Sequence, residues 1–212
     1  MFEDRQDAGE RLARALTKYK KDHPLVLAIP RGGVEVGYQV ARFLDAELSI
    51  LVARKLPFPD NPESGFGAIA EDGSMYLNED ALGWVSSSER DAIVEEQKRE
   101  VMRRVTALRQ GKPLPKIQGR TVILVDDGIA MGSTMRAAIE LCKHRNAGKI
   151  VVAVPVAGES IIEGLRQLVD EVVALETPRS FHAVAQVYKH WYDVSDAEVI
   201  NIIKQANTLN KE

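Results

Sequence analysis

The chain has 212 residues, of which 45% are hydrophobic and 28% charged, a composition typical of a soluble globular protein. Its 28 Lys and Arg against 31 Asp and Glu leave a net charge of −3, which argues against a nucleic-acid binder, because such proteins normally carry a basic excess. A single cysteine, Cys142, excludes an internal disulfide framework. The sequence has no apolar signal-peptide core, and no apolar run approaches the about 20 residues that span a bilayer. We therefore expect a cytoplasmic protein without membrane contact.

The first part of the chain alternates helix and strand patterns. Residues 4–21 place apolar side chains on one stripe, which predicts a helix. Residues 25–29 and 48–52 are short apolar runs, as expected of strands buried on both faces. Residues 34–44 lie between these runs and predict a second helix, so the pattern is that of a β–α–β unit.

Residues 55–78 interrupt this alternation. Three prolines and three glycines lie between residues 57 and 73, and they predict an irregular segment with a short hairpin formed by residues 68–70 and 75–77. Because long loops inside a compact domain are usually functional or mobile, we predict that this insertion is a lid over an active site.

The rest of the chain continues the alternation of strands and helices. A helix is predicted over residues 89–108, and its interleaved acids favour a solvated face over a phosphate-binding patch of arginines. Further strands are predicted at residues 121–125, 150–154 and 172–175, and further helices at residues 133–143 and 160–168. We therefore predict one α/β domain over residues 1–212: a mostly parallel twisted sheet flanked by helices, with the lid-like insertion and a C-terminal hood or dimer appendage over residues 177–212.

Residues 122–134, with the sequence VILVDDGIAMGST, form the motif that indicates a chemistry. Four apolar residues predict a buried strand, and Asp126 and Asp127 follow at its carboxyl end, where open α/β sheets bind their ligands. A loop of small residues then leads directly into a helix, whose unpaired N–H groups form an anion site. Because carboxylates repel phosphate, they should face another group, such as a cis-diol or a bridging magnesium ion. A phosphate beside a diol describes a ribose 5-phosphate.

This motif resembles the phosphoribosyl diphosphate (PRPP) signature of the type I phosphoribosyltransferases. The resemblance implies that Asp126 and Asp127 accept hydrogen bonds from the ribose 2- and 3-hydroxyls. It also implies that the 5-phosphate is held by the loop residues Gly128, Ile129, Ala130, Met131, Gly132, Ser133 and Thr134. Two positions depart from the family pattern: many relatives have threonine in place of Met131, and some purine-type relatives have an acid, a candidate base, in place of Ala130.

Other interpretations of residues 122–134 fit less well. A structural βα turn with capping acids would place two acids at the end of a buried strand, which is costly without a ligand. A nucleotide-binding P-loop requires a lysine before the Ser/Thr, and Gly132 stands there instead.

A second anion site is predicted at residues 29–34, with the sequence IPRGGV. Arg31, Gly32 and Gly33 supply a cation and exposed N–H groups at the end of a strand, and the resemblance implies that they bind pyrophosphate. The resemblance also implies a non-proline cis peptide, which we place at Arg31–Gly32. An ordinary tight turn would explain the two glycines equally well but the arginine less well.

Two more groups of residues gain roles from the resemblance. Arg54 and Lys55 end a predicted strand and resemble an Arg-Lys pair that neutralises pyrophosphate in orotate- and adenine-type members; a solvated lysine is the alternative for Lys55. The catalytic lysine that several relatives carry in the mobile loop is absent. Phe181 and His182 follow a strand end where the family contacts the base. The nearby aromatic residues Tyr188, Trp191 and Tyr192 are more typical of a core or dimer contact.

The sequence as a whole therefore predicts a magnesium-dependent phosphoribosyltransferase of nucleotide salvage. It would transfer the phosphoribosyl group from PRPP to a small nitrogenous base, with Asp126, Asp127, Arg31 and Lys55 as catalytic residues. PRPP would supply most of the Mg²⁺ ligands, and Asp126 and Asp127 are the chain's own candidate ligands. The resemblance further implies a homodimer. A non-catalytic sensor of PRPP or nucleotides and a phosphoribosyl or nucleotide hydrolase remain alternatives.

Overall fold

The computed structural model describes residues 1–179, 181 and 183–209, and its centre is a five-stranded parallel sheet. The strands of this sheet are β1 (Leu25–Ala28), β2 (Glu47–Ile50), β6 (Thr121–Val125), β7 (Lys149–Val156) and β8 (Glu171–Glu176). Their order is β2-β1-β6-β7-β8, and every neighbouring pair is parallel. The helices are α1 (Arg5–Ala15), α2 (Gly33–Leu44), α3 (Glu79–Leu82), α4 (Ser87–Arg109), α5 (Ser133–His144), α6 (Glu159–Arg166) and α7 (Asp196–Leu209), with 3₁₀ turns at Thr17–Asp22 and Val184–Val187. None of the described helices is long and apolar enough to cross a membrane.

The core lies on both faces of this sheet because successive strand residues point to opposite sides. On β1, Val26 and Ala28 pack with α1, α2 and α7, while Leu25 and Leu27 pack with α5 and α6. The continuous burial of β1 and of residues 122–125 follows from this two-sided cover. The predicted α/β class with flanking helices is confirmed.

The prediction of an irregular segment at residues 55–78 is wrong for most of its length. The segment belongs to a three-stranded antiparallel sheet made of β3 (Ala53–Phe58), β4 (Asn61–Ala70) and β5 (Met75–Leu77). Of the three glycines, Gly73 lies in the turn of the hairpin (φ 90°), but the other two lie within strands: a Cβ at Gly65 would overlap the Leu56 carbonyl, and one at Gly67 would overlap the Tyr76 carbonyl. Pro57 is tolerated because the strand pairing shifts register on both sides of it. The predicted hairpin is present, with Ile69 paired to Met75.

The C-terminal part of the chain returns to the N-terminus. The backbone N–H of Phe2 donates to the Val187 carbonyl at 2.7 Å, and the N–H of Lys189 donates back to the Phe2 carbonyl at 2.9 Å. Beyond this contact, α7 packs on α2 and buries Val199 and Ala206 in the core. The N-terminal segment and the C-terminal segment therefore meet at the carboxyl ends of β1 and β6.

Candidate active site at the carboxyl ends of the strands

Strand β6 carries the acidic motif to the carboxyl end of the sheet. Because β6 lies between β1 and β7, its residues 122–125 are fully buried, and Asp126 and Asp127 emerge between the two neighbouring loops. Gly132 then takes a left-handed backbone (φ 82°) and caps α5 without a side-chain hydrogen bond, so the first N–H groups of the helix face the loop. A Cβ at Gly128 would lie 2.6 Å from Val184, which explains the glycine there.

A cleft of about 240 Å³ opens beside this loop. All seven residues predicted to hold a 5-phosphate line it, together with Asp126 from the acidic pair and Lys55 from β3. Gly65 of β4 and Val184 complete the lining. The fold thus brings a lysine and a carboxylate to the same helix N-terminus, which favours an anion in one part of the cleft and a hydroxyl or cation in another.

The two acids have different surroundings. Asp126 lines the cleft, and its Oδ1 accepts a hydrogen bond of 2.8 Å from the Asp127 amide. Burial raises the pKa of Asp126 well above its ordinary value, and the neighbouring charge of Asp127 raises it further. Asp127 instead pairs with a cation: its Oδ2 accepts from Nε of Arg5 at 2.8 Å, and its carbonyl accepts from the Tyr188 hydroxyl at 2.6 Å.

The loop after β1 packs directly on these acids. A Cβ at Gly32 would overlap Oδ2 of Asp127, and one at Gly33 would lie 2.9 Å from Cα of Asp126. The glycines predicted at the pyrophosphate loop are therefore required by close approach to the acidic motif. The cis peptide is Pro30–Arg31, not Arg31–Gly32 as predicted, because a resemblance between short loops does not determine which of their consecutive bonds is cis.

The three predicted cations point in three directions. Lys55 lines the cleft, and its Nζ donates to the Glu63 carbonyl. Arg54 precedes it on the same strand and therefore faces the other way, where its Nε donates to Gln97 of α4 at 3.1 Å. Arg31 is 41% exposed, and its Nη1 lies 3.7 Å from Asp196 at the start of α7. The structure brings Lys55 to the loop of residues 128–134 and leaves Arg54 outside the cleft.

The predicted base contacts are not assembled in the cleft. Phe181 packs with Phe2 and Tyr188 in a small apolar cluster, and His182 lies outside the described residues. Val184, which sequence reasoning missed, lines the cleft beside Gly128.

Arg5 is the other residue that sequence reasoning missed. It is 3% exposed although it begins α1, and its guanidinium lies 4.0 Å from the ring centre of Trp191. One signal pointed to it: residues 5, 8, 12 and 16 follow helical spacing, and Arg5 extends the buried stripe by one turn. The aromatic residues predicted as core or dimer contacts surround this arginine in the monomer.

The free oxygens of the acidic pair decide whether it fits a magnesium ion. Asp126 Oδ1 accepts from the Asp127 amide, Asp127 Oδ2 accepts from Arg5, and the two side chains share a hydrogen bond, so the pair offers few free oxygens to a metal. Nowhere in residues 1–179, 181 and 183–209 do three His, Cys, Asp or Glu side chains group closely enough to hold a metal. These residues fit a Mg²⁺ ion that takes most of its ligands from a phosphorylated substrate and water.

Comparison with known proteins identifies the family. A family model described as the phosphoribosyl transferase domain matches residues 2–190. The chain belongs to this family. The resemblance predicted from residues 122–134 is thereby confirmed.

Two relatives match nearly all of this phosphoribosyl transferase domain. The Mycobacterium tuberculosis H37Rv protein Rv0571c, whose name assigns it provisionally to the phosphoribosyl transferases, is 40% identical over 209 residues. The match covers 98% of this chain and 47% of Rv0571c, so the chain spans about half the length of the curated relatives it matches. The crystal structure of TT1426 from Thermus thermophilus is 38% identical with a TM-score of 0.82, covering 96% of this chain and 98% of TT1426.

More distant structures share the fold alone. The AQ2163 protein from Aquifex aeolicus is 14% identical with a TM-score of 0.50, and the match covers 82% of this chain and 73% of AQ2163.

Proposed function

We propose that this protein transfers the 5-phosphoribosyl group of PRPP to a nitrogenous base and releases pyrophosphate. The observation that carries the proposal is the cleft in which Lys55, Asp126 and residues 128–134 meet. A phosphate-binding helix N-terminus beside a carboxylate and a lysine matches the three parts of PRPP, namely its 5-phosphate, its diol and its pyrophosphate.

Each part of the site has a defined task in this reaction. The N–H groups and hydroxyls of residues 128–134 bind the 5-phosphate, and Asp126 and Asp127 accept from the ribose hydroxyls. Arg31, Gly32, Gly33 and Lys55 receive the pyrophosphate. Bound magnesium would neutralise part of the pyrophosphate charge.

The chemistry is a displacement at the anomeric carbon. The bond from C1 to the pyrophosphate oxygen breaks, its electron pair leaves with pyrophosphate, a C1–N bond forms, and the base loses its proton to solvent. Positive charge develops on the sugar, so the protein acts mainly by positioning the reactants and stabilising charge on the leaving group. Homodimer formation, a cytoplasmic location and a role in nucleotide salvage belong to the same proposal.

A non-catalytic sensor of PRPP or nucleotides is the second candidate. One observation favours it: among the cleft-lining residues that the structure describes, only Lys55 and Asp126 have ionisable side chains, and Ala130 and Val184 are apolar. With Lys55 assigned to pyrophosphate and Asp126 to the sugar hydroxyls, no other described side chain of the cleft is left to take a proton from an acceptor base.

Isothermal calorimetry with PRPP and Mg²⁺ tests the proposed site. The wild type should bind, and Asp126→Asn/Asp127→Asn should weaken binding at least about tenfold, because two charged acceptors of sugar hydroxyls are lost. The double variant Asp80→Asn/Asp91→Asn is the matched control, since it removes two carboxylates from exposed positions. No binding by the wild type, or equal binding by the site variant, contradicts the proposal.

Pyrophosphate release then separates the transferase from the sensor. The wild type is incubated with PRPP, Mg²⁺ and each of a panel of purine and pyrimidine bases. Release with at least one base supports the transferase, whereas tight PRPP binding without release for any base supports the sensor.

A further inference from the structure

Arg5 makes a connection that the proposed reaction does not use. Its guanidinium donates through Nε to Oδ2 of Asp127 and through Nη1 to the Tyr192 carbonyl, both at 2.8 Å. The first contact joins residues 122 positions apart in the chain. Because a buried cation is costly unless it is paired, this arrangement holds Arg5 in one place.

The surroundings of Arg5 restrict it further. The Trp191 ring centre lies 4.0 Å from its guanidinium carbon, and the Tyr192 ring centre lies 5.4 Å away. Glu35 of α2 lies 3.5 Å from Nη1 and accepts a hydrogen bond from the Tyr192 hydroxyl. The guanidinium has little freedom to rotate, because it stacks on an aromatic ring and donates hydrogen bonds to more than one acceptor.

Asp127 is fixed on its main chain as well. The Tyr188 hydroxyl donates to the Asp127 carbonyl at 2.6 Å. Tyr188 is itself held because the neighbouring Val187 and Lys189 pair with Phe2 near the start of the chain. The two segments that reach Asp127, one from each end of the domain, therefore support each other.

The free part of the Asp127 carboxylate is small. Oδ2 is taken by Arg5, Gly32 packs against the same oxygen, and the side chain is 14% exposed. Arg5 leaves Oδ1 open, and the other neighbour of this carboxylate is the Asp126 side chain, which shares a hydrogen bond with it.

We propose that Arg5 is a positioning residue, which holds Oδ2 of Asp127 so that Oδ1 meets one hydroxyl of the sugar diol. Arg5 thereby sets the preference of the site for ribose over 2-deoxyribose phosphates. The inference rests on the proposed function, since it requires that the acidic pair bind a diol. It adds a residue from α1 that touches no substrate and acts only through Asp127.

The test compares two sugars that differ by one hydroxyl. Affinities for ribose 5-phosphate and 2-deoxyribose 5-phosphate are measured by calorimetric competition against PRPP. The wild type should prefer ribose 5-phosphate, and Arg5→Met should reduce the ratio of the two affinities about tenfold, the scale of one hydrogen bond to a charged group. Arg5→Lys keeps the charge without the fork and should give an intermediate ratio.

Arg11→Met is the matched control. Arg11 lies on the same helix, pairs with Asp7 at 2.8 Å and faces the Phe2 ring, but it does not contact the acidic motif. Its substitution should leave the ratio unchanged. Tyr188→Phe removes only the hydroxyl that holds the Asp127 main chain, and it should reduce the ratio less than Arg5→Met. This variant and Arg5→Lys carry the test if Arg5→Met does not fold.

The outcomes separate the two proposals. A wild type that binds neither sugar, or binds both equally, contradicts the diol site and with it the proposed function. A wild type with a preference that all Arg5 and Tyr188 variants retain overturns the role of Arg5 alone. Equal weakening for both sugars also overturns it, because a merely structural arginine would lower both affinities without changing their ratio.

Discussion

A cleft lies at each end of the parallel sheet, and the ion pair in the larger cleft is the more exposed of the two. At the amino ends of β1, β2 and β6, a cleft of about 610 Å³ is lined by His23, Asp45, Ala46, Glu47, Lys112, Arg120 and Asn207. Its ion pair, Arg120 with Glu47 at 2.6 Å, is 30% and 44% exposed. At the carboxyl ends the cleft is about 240 Å³, and the ion pair of Arg5 with Asp127 is 3% and 14% exposed.

The two clefts therefore differ in how deeply their charges are buried, and the smaller cleft has the more buried ion pair. An exposed pair gains little from its geometry and costs little to form, whereas charges taken out of water must be offset by partners or by a ligand. The carboxyl ends also hold the βα loops and the helix N-termini, which present N–H groups, whereas helix C-termini come to the opposite end. Substitutions at the two ends should therefore differ in kind.

The largest effect is expected for Gly32→Ala. Gly32 has an ordinary helical backbone (φ −59°, ψ −35°), so alanine is conformationally allowed, but its Cβ would overlap Oδ2 of Asp127. We expect PRPP binding to weaken about 100-fold, because displacing a positioned group by about 1 Å has effects of that size. Calorimetry with PRPP and Mg²⁺ measures it.

Gly83→Ala is the control for this prediction. Gly83 has a similar backbone (φ −66°, ψ −15°), and apart from its chain neighbours no atom of the described residues lies within 4 Å of its Cβ position. The affinity of Gly83→Ala for PRPP should equal that of the wild type. Wild-type affinity in Gly32→Ala would mean that the close packing at the carboxyl ends is not needed for the site.

Asp126→Asn should stabilise the ligand-free protein. Because burial raises the pKa of Asp126, the native state holds its proton more tightly than the unfolded chain, whose carboxyl titrates near pH 4. The free energy of unfolding therefore falls as pH rises from about 4 through the raised pKa, and the full cost is present above it. Asparagine removes the charge and keeps the oxygen that accepts from the Asp127 amide.

We expect the free energy of unfolding of Asp126→Asn to exceed that of the wild type by about 1 kcal/mol at pH 7. This is the usual gain when a residue that lowers stability for the sake of function is replaced. Thermal unfolding at a series of pH values checks this, and the gain should disappear below about pH 4. A variant that is less stable than the wild type at pH 7, or a gain that does not vary with pH, would contradict the environment described for Asp126.

The smallest effect is expected for Glu47→Gln at the amino ends. An exposed ion pair contributes up to about 1 kcal/mol, so urea unfolding should show a loss of about 0.5 kcal/mol or less. PRPP binding should not change. A loss above about 2 kcal/mol would show that the two ends of the sheet do not differ as their exposures indicate.

Elements with a local cause were predictable from the sequence. Residues 122–134 hold their strand, acids, loop and helix start in one contiguous stretch, so their order alone predicts an anion site beside two carboxylates. Residues 55–78 were misread because glycine and proline are usual in turns, whereas Gly65 and Gly67 are there to let neighbouring strands approach. That requirement depends on the strand partner, which lies outside the local pattern.

The sequence by itself determined the α/β pattern, the family resemblance and the acidic loop, because hydrophobic periodicity and turn chemistry act over a few residues. Only the tertiary structure decided that Lys55 rather than Arg54 lines the cleft, that Val184 lines it as well, and that Arg5 pairs with Asp127. These outcomes depend on which face of a strand meets a loop, and on contacts between residues far apart in the chain, such as the 122 positions that separate Arg5 from Asp127. Packing alone brings such residues together, since no local preference links their positions.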